Sequence, residues 1–262
     1  MSTWKWHAAS VQGFDHKTAS IPCQDAHAVK LADGDCLVAI VSDGAGSACR
    51  ADYGATRLCE DLGTALVAAR GAHGGTGLGA PGVGEIDLDV LRQWVEQGID
   101  ALRVRLTAEA QETAGSLSDF HATLVGAIAD RSGGAFFHIG DGAAVAASSR
   151  DLGQFTVSAA ANGEYSNETF FFTMEEWRSH LRLTRFGPEY DLLALMSDGV
   201  TPFALAKGGA APFRPFFEPV SRFLADSDAE TGHAALVELL ERDALRAISG
   251  DDKSLVWARR SA

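Results

Sequence analysis

Three apolar runs end in acidic turns: CLVAIVSDGAG carries Asp43, AFFHIGDG carries Asp141 and LLALMSDG carries Asp198. A fourth acidic pair, Asp251 and Asp252, stands ahead of the apolar run SLVWA. Each run is built from Leu, Val, Ile, Ala and Phe, and Gly follows each of the first three Asp residues, the pattern of a buried strand ending in a turn. Carboxylates gathered at strand ends without matching Lys or Arg repel one another and are costly to desolvate, unless a hard divalent cation neutralises them. A Mg²⁺ or Mn²⁺ site is therefore predicted. Any one Asp-Gly turn taken alone is an ordinary turn, because Asp caps it and Gly accepts positive φ.

Charge and composition narrow the classes. The chain has 35 acidic against 22 basic residues, a formal charge of -13, which disfavours nucleic acid or an anionic membrane surface as the main partner. No apolar stretch approaches the roughly 20 residues that span a bilayer. The first residues, MSTWKWHAASVQGF, have neither a basic n-region nor an apolar h-region, so a cytoplasmic location is expected. Cys23, Cys36, Cys49 and Cys59 show no C-x-x-C spacing and are expected to be reduced thiols.

The elements that must position the carboxylates follow from periodicity. Strands are predicted at 36–42, 120–130, 134–141, 143–149, 191–198 and 254–260, with weaker strand character at 4–12 and 26–31. Between the weak strands GFDHKTASIPCQD reads as a loop. Helical spacing predicts helices over 51–70, 88–112, 219–227 and 230–247, and the Gly-rich stretch 71–84 reads as a surface loop. The close succession of strands after residue 120 indicates antiparallel hairpins, and strands clustered between pairs of long helices point to an α+β layered fold. Acidic turns spread from Asp25 to Asp252 must meet, so one domain over 1–262 is expected.

The order Gln24-Asp25, strand-Asp43-Gly44, Gly-Asp141-Gly, Ser-Asp198-Gly and Asp251-Asp252-Lys-Ser resembles the metal-dependent protein phosphatase family of the protein phosphatase 2C type. The resemblance covers nearly the whole chain, and GFDHKTASIPCQDA with NGEYSNETFFF resembles a bacterial branch of it. It implies a four-layer αββα sandwich, two antiparallel sheets flanked by helix pairs, with a two-metal centre at one end. It further implies that Asp43 bridges two Mn²⁺ or Mg²⁺ ions, aided by the Gly44 carbonyl, that Asp198 and Asp251 complete one ion, and that Asp25 holds the second. Asp141 matches a turn that supports a weaker third metal in some members, and Asp252 would back up the ligands. Two hard cations sharing a carboxylate activate a water for in-line attack on phosphorus, so no covalent nucleophile is required. The implied activity is hydrolysis of serine or threonine phosphate on a protein, with a Ser/Thr kinase or its targets as further partners.

Several positions depart from that family. Ser20 stands where a phosphate-binding Arg is frequent, which turns attention to His16 and Lys17; Ala45 stands where many members carry a His proposed as general acid; Pro202 replaces an acidic ligand of some members. His16 is a candidate proton donor, because imidazole titrates near neutrality. His138, inside an apolar strand, reads as a packed core side chain, and His121 is similar. The stretch from Asn162 to Glu168 reads as a flap over the cleft, and Arg182 and Arg185 either contact phosphate or face solvent. A pseudo-phosphatase or regulatory binding module of the same fold, and a hydrolase of small phosphoesters, are the competing readings.

Overall fold

The computed structural model describes residues 4–33, 35–72, 87–160, 169–206 and 208–261. Two five-stranded antiparallel sheets face each other. One has the order β1 (Trp4–Val11), β10 (Lys253–Arg260), β9 (Leu192–Met196), β6 (Ala143–Ser148), β7 (Asp151–Ser158). The other has β2 (Ala26–Ala32), β3 (Cys36–Ser42), β4 (Leu124–Asp130), β5 (Gly133–Ile139), β8 (Arg182–Phe186). Among the described residues the helices are α1 (Phe14–Ala19), α2 (Ala51–Ala72), α3 (Leu88–Glu112), α4 (Trp177–His180), α5 (Thr201–Ala204), α6 (Arg214–Asp226), α7 (Ala229–Leu240) and α8 (Asp243–Arg246).

Strand alternation creates the layers. In β3, Leu37, Ala39 and Val41 point to the opposite sheet, where they meet Ala144, Leu193, Leu195 and Val256 in a core of buried side chains. Val38 and Ile40 point the other way, onto Leu58 and Leu62 of α2 and Val95 and Ile99 of α3. The outer face of the other sheet buries Val145, Ala194 and Trp257 under Phe217 and Leu224 of α6 and Leu236 of α7. Because both faces of the central strands are covered, those strands read as continuous apolar runs. The resulting four layers are the αββα sandwich expected from the resemblance.

Some elements differ from expectation. The segment at 13–25 is not all loop, because α1 forms one short helix closed by Ser20 in the left-handed conformation at φ 57°. The predicted helix at 219–227 begins earlier, at Arg214, and the one at 230–247 breaks after Leu240, with Asp243–Arg246 forming a separate turn. Strands β7 and β8 carry Asp, Gln and Arg, as edge strands do when their outer side faces water, and so lack an apolar run. Residues 120–123 precede β4; Leu117–Phe120 form a 3₁₀ turn. The predicted Gly-rich loop loses its first two residues, Gly71 and Ala72, to the end of α2; the rest of it to residue 84, and the whole predicted flap from Asn162 to Glu168, lie outside the described residues.

Candidate metal centre and active site

Strand register delivers the acidic turns to one end of the sandwich. Asp43 follows β3, Asp141 follows β5, Asp198 follows β9 and Asp251 precedes β10, so four neighbouring or facing strand ends carry carboxylates. The Asp43 turn is clamped on both sides. Its N–H donates to the Thr123 hydroxyl at 3.0 Å, Thr123 N–H donates back to the Asp43 carbonyl at 2.8 Å, and Gly44 N–H donates to the Gln24 carbonyl at 3.1 Å. The Asp198 turn rests on the turn before β10. Ser197 N–H donates to the Ser254 carbonyl at 3.1 Å, and Ser254 N–H donates to the Ser197 hydroxyl at 2.9 Å. Gly199 is required there, since a Cβ at this position would lie 1.9 Å from the Asp252 carbonyl oxygen.

Oxygen atoms of Asp43, Asp141 and Asp198 lie within 4.8 Å of one another. Together with Gly44, Ala45, His16 and Asp251 they line a polar cleft of about 560 Å³. Asp25 is buried beside them, and Asp251 is exposed at the rim. Both Asp25 carboxylate oxygens, Asp141 Oδ1 and Asp198 Oδ1 are buried without a hydrogen-bond partner. An uncompensated buried carboxylate is strongly unfavourable, so such oxygens call for a compensating cation. Burial, then the charges of Asp25 and Asp198, hold the Asp43 carboxyl well above the usual carboxylate range. Burial pushes Asp25 up to about 8, with Asp252 and Asp198 adding to it and the nearby Ser197 and Ser254 hydroxyls offsetting only part. Asp198 is raised to about 6, by burial first and then by Asp141 and Asp251. A set of oxygen donors with orphaned lone pairs and mutually raised carboxyls fits a hard divalent cation.

Asp252, by contrast, is fully engaged. Its Oδ1 accepts from Gly13 N–H at 2.6 Å, and its Oδ2 accepts from Gln24 N–H at 2.6 Å and lies 2.8 Å from Nδ1 of His16. This buried carboxylate fastens α1 and the Gln24-Asp25 step to the turn that carries Asp251. Lys253 folds the same turn, donating from Nζ to the Ser249 and Asp251 carbonyls at 2.9 and 2.8 Å.

The other sequence candidates fall as follows. Lys17 is turned away, paired with Glu241 at 2.9 Å with both side chains half exposed, and Ser20 is not among the residues lining the cleft. Arg182 donates to the Gly140 carbonyl at 3.2 Å and so braces the Asp141 turn. His138 is a fully buried side chain bonded to Ser158, its pKa pushed down to about 3 mainly by burial. His121 is half-buried, bonded to the Thr173 hydroxyl at 2.6 Å and stacked on Phe171. Thr123 and Thr169 were not predicted. Thr169 donates to Asp141 Oδ2 at 2.6 Å; it belongs to the NGEYSNETFFF stretch, whose likeness to a bacterial branch gave its hydroxyl no role.

The protein phosphatase 2C family profile matches residues 12–241 of the chain. The chain belongs to the protein phosphatase 2C family. As a member of that family it is a phosphoprotein phosphatase, and its acidic cluster is suited to the family's metal dependence. It is 31% identical, over 98% of both chains, to serine/threonine-protein phosphatase 3 of Escherichia coli strain K12. Its fold is similar to a bacterial serine phosphatase, with a TM-score of 0.65 and 17% identity covering 98% of both chains. A serine/threonine phosphatase of Staphylococcus aureus gives a TM-score of 0.60 at 17% identity, covering 100% of this chain and 96% of that one. At such identities the structural matches speak for the fold of this phosphatase 2C chain alone. Among the described residues no helix is long and apolar enough to cross a membrane.

Proposed function

We propose that the protein is a Mn²⁺- or Mg²⁺-dependent phosphatase of phosphoserine and phosphothreonine in proteins, acting in the cytoplasm on targets of a Ser/Thr kinase. The observation that carries this reading is the set of buried, partnerless carboxylate oxygens on Asp25, Asp141 and Asp198 beside Asp43. Asp43, with the Gly44 carbonyl beside it, would be shared by two ions; Asp198 and Asp251 would complete one, Asp25 would hold the other, and Asp141 would serve a weaker third. Cations held there would supply Lewis-acid activation of water for attack on phosphorus.

The chain's own groups do the remaining work. Thr123 and Gln24 fix the backbone of the Asp43 turn, so its carboxylate is held in place before substrate arrives. His16 faces the same cleft, and with Nδ1 engaged by Asp252 its Nε2 is the nitrogen left to give a proton to the leaving serine or threonine oxygen. Ala45, in place of a larger residue, leaves this side of the cleft open.

The test is release of phosphate from phosphoserine and phosphothreonine peptides with and without Mn²⁺, beside a panel of nucleotides and small phosphoesters. Turnover of the peptides that disappears in EDTA and in Asp43→Asn supports the reading. Metal-independent turnover, or binding of phosphopeptide without any turnover, overturns it in favour of a different chemistry or a binding module.

A further inference from the structure

At the far end of the β1-β10-β9-β6-β7 sheet from the carboxylates lies a second cavity of about 300 Å³. Its place follows from register. Ala147, Leu192 and Arg259 pair across β6, β9 and β10 there, whereas Ala143, Met196 and Leu255 pair at the end that carries Asp198. Four residues along a strand separate the two rows, about 13 Å at ~3.3 Å per residue. Four arginines line the cavity: Arg150 from the β6-β7 turn, Arg214 and Arg222 from α6, and Arg259 from β10. In a chain of charge -13 such a gathering of guanidinium groups is a local reversal of sign.

Two of the four are already compensated. Arg214 pairs with Glu218 one helical turn on at 2.9 Å, and Arg259 approaches Asp191 at 4.0 Å. Asp191 is itself held by the Ser149 N–H and hydroxyl, both at 2.6 Å, and Asp151 is turned to Gly153 and Gln154. Arg150 and Arg222 have no carboxylate partner among the described residues. On the α6 side Ser221 accepts the indole N–H of buried Trp257 at 3.1 Å, which fixes the hydroxyl oxygen and leaves its own hydrogen to be donated into the cavity. The volume is that of a small-molecule pocket at the low end of the range.

We propose that this cavity is a binding site for a phosphate dianion, separate from the catalytic cleft. Arg150 and Arg222 supply the two uncompensated positive charges, and the guanidinium fork matches phosphate oxygens in bidentate fashion. Ser221 adds a hydroxyl donor at the α6 wall. Free phosphate and a phosphorylated side chain share this chemistry, and they differ in what else they bring to the surface around it.

The experiment is an amide NMR titration of the full chain in Mg²⁺ buffer. One arm adds inorganic phosphate, and the other adds a peptide carrying the non-hydrolysable phosphonate analogue of phosphoserine. Saturable shifts are expected at Ser149, Arg150, Ser221 and Arg222, with a Kd in roughly the millimolar range or below. In R150A/R222A that Kd should rise about tenfold or more, equivalent to about 1.4 kcal/mol, while the cleft amides of Gly44 and Gly46 keep the response they show in the parent protein. Tighter binding of the peptide than of phosphate identifies a phosphorylated chain as the source, and the reverse identifies the free ion. Absence of saturable shifts at the four cavity residues with both probes, or shifts that persist unchanged in R150A/R222A, overturns the proposal. Because the readout is the position of the shifts, its failure leaves the reading of the carboxylate cleft untouched.

Discussion

Nδ1 of His16 lies 2.8 Å from Oδ2 of Asp252, a carboxylate that also accepts two backbone N–H groups and is almost wholly buried. The imidazole is thus anchored by one ring nitrogen while its side chain lines the cleft. A histidine held this way has a fixed orientation, as required of a group that must meet a departing oxygen.

His16→Ala is accordingly expected to lower kcat with little change in KM, by roughly 10²-fold on a phosphoserine peptide. On p-nitrophenyl phosphate the loss should be much smaller, since that leaving group departs without a proton. Parallel kcat measurements on the two substrates check this, and equal losses would reduce His16 to a positioning role.

Asp43, Asp25 and Asp198 make the metal-free protein sensitive to pH. Their folded-state pKa values are raised, with Asp25 at about 8 and Asp198 at about 6, whereas an unfolded Asp titrates near about 4. Between those values the folded chain binds more protons than the unfolded one, so stability is greatest on the acid side and is lost as pH rises through about 6 and then about 8. Metal binds the deprotonated groups and should act in the opposite sense. The Tm in EDTA is therefore expected to fall from about pH 5 to about pH 8, while the increase in Tm on adding Mg²⁺ grows over the same interval. Thermal scans across that range decide it, and a metal-free Tm that rises with pH would contradict the burial of these groups.

Gly199→Ala should separate the Asp198 turn from the turn before β10. Its Cβ would meet the Asp252 carbonyl oxygen at 1.9 Å, and backbone has no rotamer by which to move aside. Overpacking of this kind costs about 1–3 kcal/mol. Denaturant unfolding should show a loss of that order, and calorimetry should show weaker Mg²⁺ binding, because Asp198 moves with the turn. Unchanged stability and metal affinity would mean that the two turns are not rigidly joined.

The parts of this architecture legible in the sequence are those in which burial and chemistry coincide. β3, β5 and β9 are buried along their length, so their apolar runs announced both strand and terminal carboxylate, and the recurrence of Asp-Gly after them placed Asp43, Asp141 and Asp198 together. Edge strands β7 and β8 have a water-facing side and no such run. Helix α1 buries none of its residues and owes its place to Asp252 and to Asp15 N–H donating to the Gly250 carbonyl. Contacts made across the length of the chain leave no periodic trace. For the same reason Lys17, adjacent in sequence to His16, could not be told from it until the helix turned one toward the cleft and the other toward Glu241.

The Asp252 carboxylate gathers Gly13, His16 and Gln24 across 228 to 239 residues of sequence, and β10, which follows it, inserts between β1 and β9. During translation the strand Trp4–Val11 therefore has no neighbour in its sheet until Lys253–Arg260 has left the ribosome. Asp25 and Asp43 are made early yet cannot be locked into one catalytic geometry, so competence is expected to arrive in a single late step, with the slow closure typical of distant strand pairing. A nascent chain stalled with β10 still inside the ribosomal tunnel should fail to hydrolyse p-nitrophenyl phosphate, and turnover by that chain would show that the site forms without its final strand. Premature termination near residue 250 would then yield an inert product, because the turn that carries Asp251 and Asp252 and the partner strand of β1 are both missing.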